Sequence, residues 1–242
     1  MDEARAAAGA DAPDGLVVWA REQTGGRGRL GRQWHSPPGN LYMTVLLREN
    51  CPPAVAAQLG FVMALAVAEY VAPVLRAAGA PEADLRLKWP NDVLLGGRKL
   101  AGILLESALR PQGGLAWLLC GIGVNVAHHP DVPDRPSTAL AAAIGGPPPD
   151  PGEALSGVVS AVADWRKRWR REGFAPVRAA WLARAHPVGT PLEARLPGGA
   201  TRGTFAGIDA DGTLLLAGPG GLMHRIAAGE VHALPGGTLD KA

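Results

Sequence analysis

Apolar residues in this chain recur with two periods, and the places where the period changes mark its segments. A short helical stretch, about Asp2 to Ala8, is closed by Gly9. Leu16 to Ala20 and Leu41 to Arg48 then read as strands. From about Pro53 to Ala78 the pattern predicts one long helix, opened by proline and closed by Gly79. It is apolar on nearly every side and therefore a core element. Leu85 to Ser107 returns to strand, and its two apolar runs meet at Gly96-Gly97, the composition of a two-residue hairpin turn. Leu115 to Val126 is apolar on both faces and broken by Gly121 and Gly123. The stretch GGPPPDPG at 145–152 reads as a loop, and helices follow over about Glu153 to Arg171 and Ala175 to Ala185. Beyond Pro187 come short alternating runs between glycines: PLEARL, GTFAGID, TLLLA, LMHRIA and EVHAL. They predict a small β-barrel or SH3-like module. The expected organisation is α+β, with a large domain over 1–186 and a β module over 187–242.

Composition narrows the function classes. Hydrophobic residues make up 47% and charged residues 19% of 242 positions, a globular balance able to bury a sizeable core. The formal net charge is +2 with neither end strongly basic, which argues against a dedicated nucleic-acid binder. The cations around Trp165 to Arg171 fall in the last turns of a predicted helix, where the macrodipole favours them. Cys51 and Cys120 form no CxxC or CxxH pair, so they read as small buried residues in a reducing compartment and no metal site is expected. The first 15 residues lack the apolar core of a signal peptide. The charge-free run from Asn50 to Ala68 contains Pro52, Pro53, Gln58 and Gly60, which suits a core helix better than a membrane span. The expectation is a cytoplasmic protein without membrane or DNA partners.

Three segments depart from ordinary core or surface composition. In Gln23-Thr-Gly-Gly-Arg-Gly-Arg-Leu-Gly-Arg32, followed by Trp34, glycines permit tight turns and close approach to a ligand. The interleaved Arg27, Arg29 and Arg32 offer planar donors suited to phosphate or carboxylate. Such a loop is expected to be mobile when empty and ordered by an anion. It is neither a Walker A loop nor GxGxxG. The second segment is Lys88-Trp-Pro-Asn-Asp92 with the hairpin carrying Lys99. Strict alternation puts Lys99 on one face with Ala101, Ile103 and Leu105. There it either snorkels at the strand end or points into a pocket that receives an anion. The third is Gly121-Ile-Gly-Val-Asn125, where glycines inside a strand mark a ligand lying on the backbone and Asn125 needs partners if buried. Residues alone reach an adenylate-type or phosphate-type site for an anion with a bulky apolar part.

GRGRLGRQW, KWPNDVLLGGRKLAGILLE and GIGVNV resemble the three signature blocks of biotin protein ligases, in order and spacing. GIDADGTLLL and the closing GEV resemble that family's C-terminal domain. The resemblance implies a fold like class II aminoacyl-tRNA synthetases, a mixed sheet with helices, followed by an SH3-like β-barrel. It implies ATP and biotin as substrates, with Mg²⁺, and a biotin carboxyl carrier protein or carboxylase carrier domain as partner. A homodimer is among the assemblies it allows. By matching position, Lys99, Arg29 and Arg27 would be catalytic. Gln23, Arg27, Gly28, Arg29, Lys99, Gly121 and Gly123 would bind biotin or its acyl-phosphate. Trp34, Asn91, Asp92 and Asn125 would serve the nucleotide. The alternative is a truncated relative that binds biotin or nucleotide with little turnover. The family's Ser-Thr-Asn segment, which helps hold the ureido group, has no counterpart from Met1 onward, so weaker biotin affinity is expected.

Overall fold

Six strands form the larger sheet of the computed structural model, in which residues 1–133, 135–196 and 198–234 are described. They are β1 Val17–Ala20, β2 Leu41–Leu47, β3 Leu85–Lys88, β4 Asp92–Leu95, β5 Arg98–Leu109 and β6 Leu115–Val124, in the order β1-β2-β6-β5-β4-β3. Every pairing between these strands is antiparallel, which corrects the expected mixed sheet. Strands β3 to β6 follow one another through short turns, and short turns can join only antiparallel neighbours. Parallel pairing among the described residues is confined to an isolated bridge between Lys99 and Ser137.

Alternation assigns the two faces of this sheet. Met43, Val45 and Leu47 of β2, with Cys120, Ile122 and Val124 of β6, enter the main core. That face is covered by α3 (Leu59–Ala77), backed by α5 (Pro151–Glu172) and α6 (Phe174–Arg184). The long helix expected from Pro53 is divided: α2 spans Pro53–Ala56, and a tight turn at Ala57-Gln58 precedes α3. There the buried Gln58 accepts a hydrogen bond from Trp169 Nε1 at 3.0 Å. Although the helical stretch Pro53–Ala77 is long and apolar enough to cross a membrane, most of it is buried. A five-residue helix, α4 (Leu140–Ile144), was not anticipated.

Helix α5 begins at Pro151 because Asp150 Oδ1 caps it, accepting from the Gly152 and Glu153 amides at 2.8 and 3.3 Å. Its late cations have acidic partners as well as a favourable dipole. Arg166 Nε and Arg170 Nε hold the buried Glu49 at 2.6 and 2.9 Å, and Arg166 also reaches Asp14 at 2.6 Å.

On the sheet's opposite face, α1 (Asp2–Gly9) packs Ala4 and Ala8 on Leu46 and Leu119. The rest of that face is open and floors a cavity.

The smaller sheet contains β7 Pro191–Leu196, β8 Gly199–Ile208, β9 Leu214–Ala217, β10 Met223–Ile226 and β11 Glu230–Ala233, ordered β10-β9-β8-β7-β11. Its outer strands do not pair among the described residues, so the sheet is open where a closed barrel was expected. Residues 227–229 alone join these opposite edges, which limits the gap to roughly 14 Å and requires strong curl. The two sheets share one continuous core. Phe61 stacks edge-on with Phe174 and Trp181 at 5.3 and 5.4 Å, Trp89 Nε1 donates to Gly212 O at 3.0 Å, and Arg178 Nε donates to Ile208 O at 2.7 Å.

Candidate active site

A cavity of about 840 Å³ lies between the six-stranded sheet, the loop at 23–34 and strand β11. Its floor is glycine for a measurable reason. A Cβ on Gly123 would lie 2.6–2.8 Å from the Trp34 indole, and one on Gly102 would lie 3.0 Å from the same ring. One on Gly121 would lie 2.8 Å from Met1 Sδ. Where a ligand was expected to lie on Gly121 and Gly123, the nearest atoms in this structure are the side chains of Met1 and Trp34.

The arginine loop is a tight hairpin. Gly28 N donates to Arg32 O at 2.7 Å and Trp34 N to Gly26 O at 2.9 Å, with Leu30 and Gly31 at positive φ (56° and 72°) at its tip. Gln23 Nε2 donates to Ser36 Oγ at 3.0 Å, tying down the loop's base. Each arginine already has protein acceptors, unlike the free anion-seeking loop expected. Arg27 reaches Asp2 at 2.7 Å and Glu106 at 3.7 Å. Arg29 Nη1 donates to Asn91 Oδ1 and to Gly229 O, both at 3.2 Å. Arg32 makes a two-pronged pair with Glu230, whose carboxyl it holds below the usual range.

Lys99 does not share a face with Ala101, Ile103 and Leu105. A bulge in the β4–β5 ladder pairs Val93 with Ala101 but Leu94 with Lys99, and this extra residue shifts the alternation. Ala101 and Ile103 go to the core, whereas Lys99 emerges into the cavity beside Gly102. Its ammonium lies 2.6 Å from Asp92 Oδ1 and 5.4 Å from the centre of the Trp34 ring. The other oxygen of Asp92 holds Lys88 Nζ at 2.9 Å. Burial pushes the Asp92 carboxyl up, but Lys99 and Lys88 outweigh it and keep the group ionised below the ordinary range. One buried carboxylate thus fixes two ammonium groups side by side.

Both asparagines are committed to the backbone around Lys99. Asn91 Nδ2 donates to Ile103 O at 2.7 Å. Asn125 is buried, with Nδ2 donating to Thr138 O at 3.0 Å and Lys99 O at 3.4 Å. All eleven residues selected from the sequence line this cavity. So do Lys88, His186, Glu230 and His232, which sequence reasoning passed over. Lys88 lay inside a quoted motif, and its spacing of four from Asp92 could have flagged it. Nothing local to His186, Glu230 or His232 shows that the second sheet closes this side.

The arrangement can gather negative charge at Lys99, Lys88 and Arg29, beside a glycine floor over which the side chains of Trp34 and Met1 lie. Comparisons with known proteins agree with that chemistry. Residues 8–125 match the biotin/lipoate A/B protein ligase family, and residues 189–232 match the biotin protein ligase C-terminal domain. A biotin–[acetyl-CoA-carboxylase] ligase of Paracoccus denitrificans is 45% identical, over 84% of this chain and 85% of that protein. The bifunctional ligase/repressor of Bacillus subtilis is 36% identical over 85% of this chain, which spans 62% of that longer protein. Among solved structures, the biotin protein ligase of Aquifex aeolicus in complex with biotin and ATP superposes with a TM-score of 0.76 at 28% identity, covering 95% of this chain and 94% of that one.

Proposed function

This chain belongs to the biotin protein ligase family, and we propose that it activates biotin with ATP and passes the acyl group to a lysine of a biotin carboxyl carrier domain. In the first step a biotin carboxylate oxygen bonds to the α-phosphorus, and the bond from that phosphorus to the bridging oxygen breaks, releasing pyrophosphate. In the second the carrier amine attacks the acyl carbon of biotinyl-5′-AMP, AMP leaves, and the amine loses a proton. Negative charge builds at the α-phosphate and then on the acyl oxygen, so cations already in place lower both barriers.

The observation that carries this reading is the Asp92 carboxylate presenting Lys99 and Lys88 at the edge of a glycine-floored cavity. Lys99 and Arg29 are assigned to the acyl-phosphate. Gly121 and Gly123 line the bicyclic ring, with Gln23, Arg27 and Gly28 completing the biotin side. Trp34 covers the adenylate, and Asn91, Asp92 and Asn125 support the nucleotide side by positioning Lys99. The ion enters with ATP as part of the substrate. The larger domain, 1–186, would carry both substrates, and the 187–242 module would close one wall. Dependence on ATP is the reason to place the protein in the cytoplasm. The modest net charge of +2 supports a protein partner over DNA.

Pyrophosphate release that requires biotin, followed by ATP-dependent labelling of a carrier-domain lysine, is the expected result. No labelling of any carrier domain, with biotin and Mg-ATP both saturating, would refute the proposal.

A further inference from the structure

The second sheet supplies more than a lid. On β11, Glu230 and His232 are two residues apart and both line the cavity. Glu230 is occupied by Arg32. His232 is not: its Nε2 is buried and finds no hydrogen-bond partner among the described residues. His186, in the link between α6 and β7, lines the same cavity and has the same unpartnered, buried Nε2. Two such imidazole nitrogens on one wall are unusual, because buried polar atoms are nearly always bonded.

Lys88 connects this wall to the reaction centre. It is held beside Lys99 by the shared Asp92 carboxylate, and its charge is felt by both imidazoles. If the α-phosphate sits at Lys99, an in-line displacement sends the leaving group away from the biotin carboxylate. Beside Lys99 on the shared carboxylate is Lys88, whose charge reaches the two histidines that line the same cavity.

We propose that His186 and His232, with Lys88, form the seat of the β- and γ-phosphates of Mg-ATP and of the pyrophosphate that leaves. This rests on the ligase reading above and adds two binding residues to it. The groups facing His232 are Lys88, Arg195, Glu230 and Glu193; those facing His186 are Lys88 and Arg86. Burial, then Lys88, draws both imidazoles below their ordinary value, so the empty site favours their neutral form. A bound polyanion reverses the local field and favours imidazolium, so binding takes up protons and tightens as pH falls from about 8 to 6.

The test uses the whole chain, His186→Ala/His232→Ala, and His232→Gln. The double variant is expected to raise KM for ATP and weaken inhibition by pyrophosphate roughly tenfold or more, as for lost bonds to charged groups. Transfer from supplied biotinyl-AMP to a carrier domain, which needs the folded site but no pyrophosphate, should stay at the wild-type rate. Calorimetric titration with Mg-pyrophosphate, in two buffers of different ionisation enthalpy, should show proton uptake in wild type and less in His232→Gln. An unchanged KM and pyrophosphate inhibition in the double variant, or no proton uptake by wild type, would overturn the proposal. Should wild type form no biotinyl-AMP, the ligase reading falls, and the titration still decides this one.

Discussion

Gly123→Ala measures how closely Trp34 is built onto the sheet. The added carbon would lie 2.6 Å from Trp34 Cε2, 2.7 Å from Nε1 and 2.8 Å from Cζ2. Unstrained carbon contacts fall near 3.5–4.0 Å, so something must move by roughly 1 Å. The strand cannot, because Gly123 is paired on one side with Tyr42 and on the other with Gly102. Its φ is not positive, so alanine suits the backbone, and the nearest conflict is with the indole. Overpacking costs about 1–3 kcal/mol and replacing a strand glycine returns roughly 0.5–1, leaving a net loss of about 0–2.5 kcal/mol. The effect on the reaction should be larger. A misplacement of about 1 Å at a positioned group costs on the order of 10²-fold, so kcat/KM for biotin should fall by that factor while thermal melting changes by a few degrees. Gly146→Ala, with nothing within 4 Å of its added carbon, is the matched control. If Gly123→Ala kept the control's kcat/KM, Trp34 would not be part of the substrate site.

Other substitutions probe the charged edge. Lys99→Ala should slow biotinyl-AMP formation by roughly 10²–10³ in single-turnover pyrophosphate release, with the fold kept because Lys88 still neutralises Asp92; an unchanged rate would sink the pocket assignment. Arg29→Gly removes the contacts to Asn91 and Gly229 that hold the loop shut, so escaping biotinyl-AMP should label bulk lysines more than wild type does, and equal labelling would count against it. Asp92 is ionised below the ordinary carboxylate range when folded, so its pairing stabilises at neutral pH and is lost as pH falls through that lowered value. Asp92→Asn should flatten the acid side of the stability curve in urea melts; a wild-type pH profile would contradict this.

Much of the fold was legible because burial obeys period. Leu41 to Arg48 was readable as a strand, and Gly121 and Gly123 were visible as gaps in an apolar strand, whereas Gly102 passed as part of an apolar run. Lys99 shows where that logic stops. Its direction depends on a bulge, and a bulge is decided by the partner strand, which local sequence does not specify. Asn125 is similar: its need for partners could be anticipated, but not that Thr138 and Lys99 supply them. The open second sheet, His232 on its last strand and His186 in the link before it depend on docking between residues far apart, and no local pattern encodes docking.

The pairing of Arg32 with Glu230 spans 198 positions, and that of Arg29 with Gly229 spans 200. During synthesis the six-stranded sheet and its helices can fold well before β11 has left the ribosome, since domains fold as they emerge. In that interval Arg32 has no Glu230 and the loop has nothing to close upon. A half-made chain would then hold the glycine floor and both lysines but not the wall. Such a chain could admit substrates yet could not retain a reactive acyl adenylate. Because the closing contacts come from Gly229 and Glu230, containment of the acyl adenylate is the last property this fold acquires, a timing set by chain order.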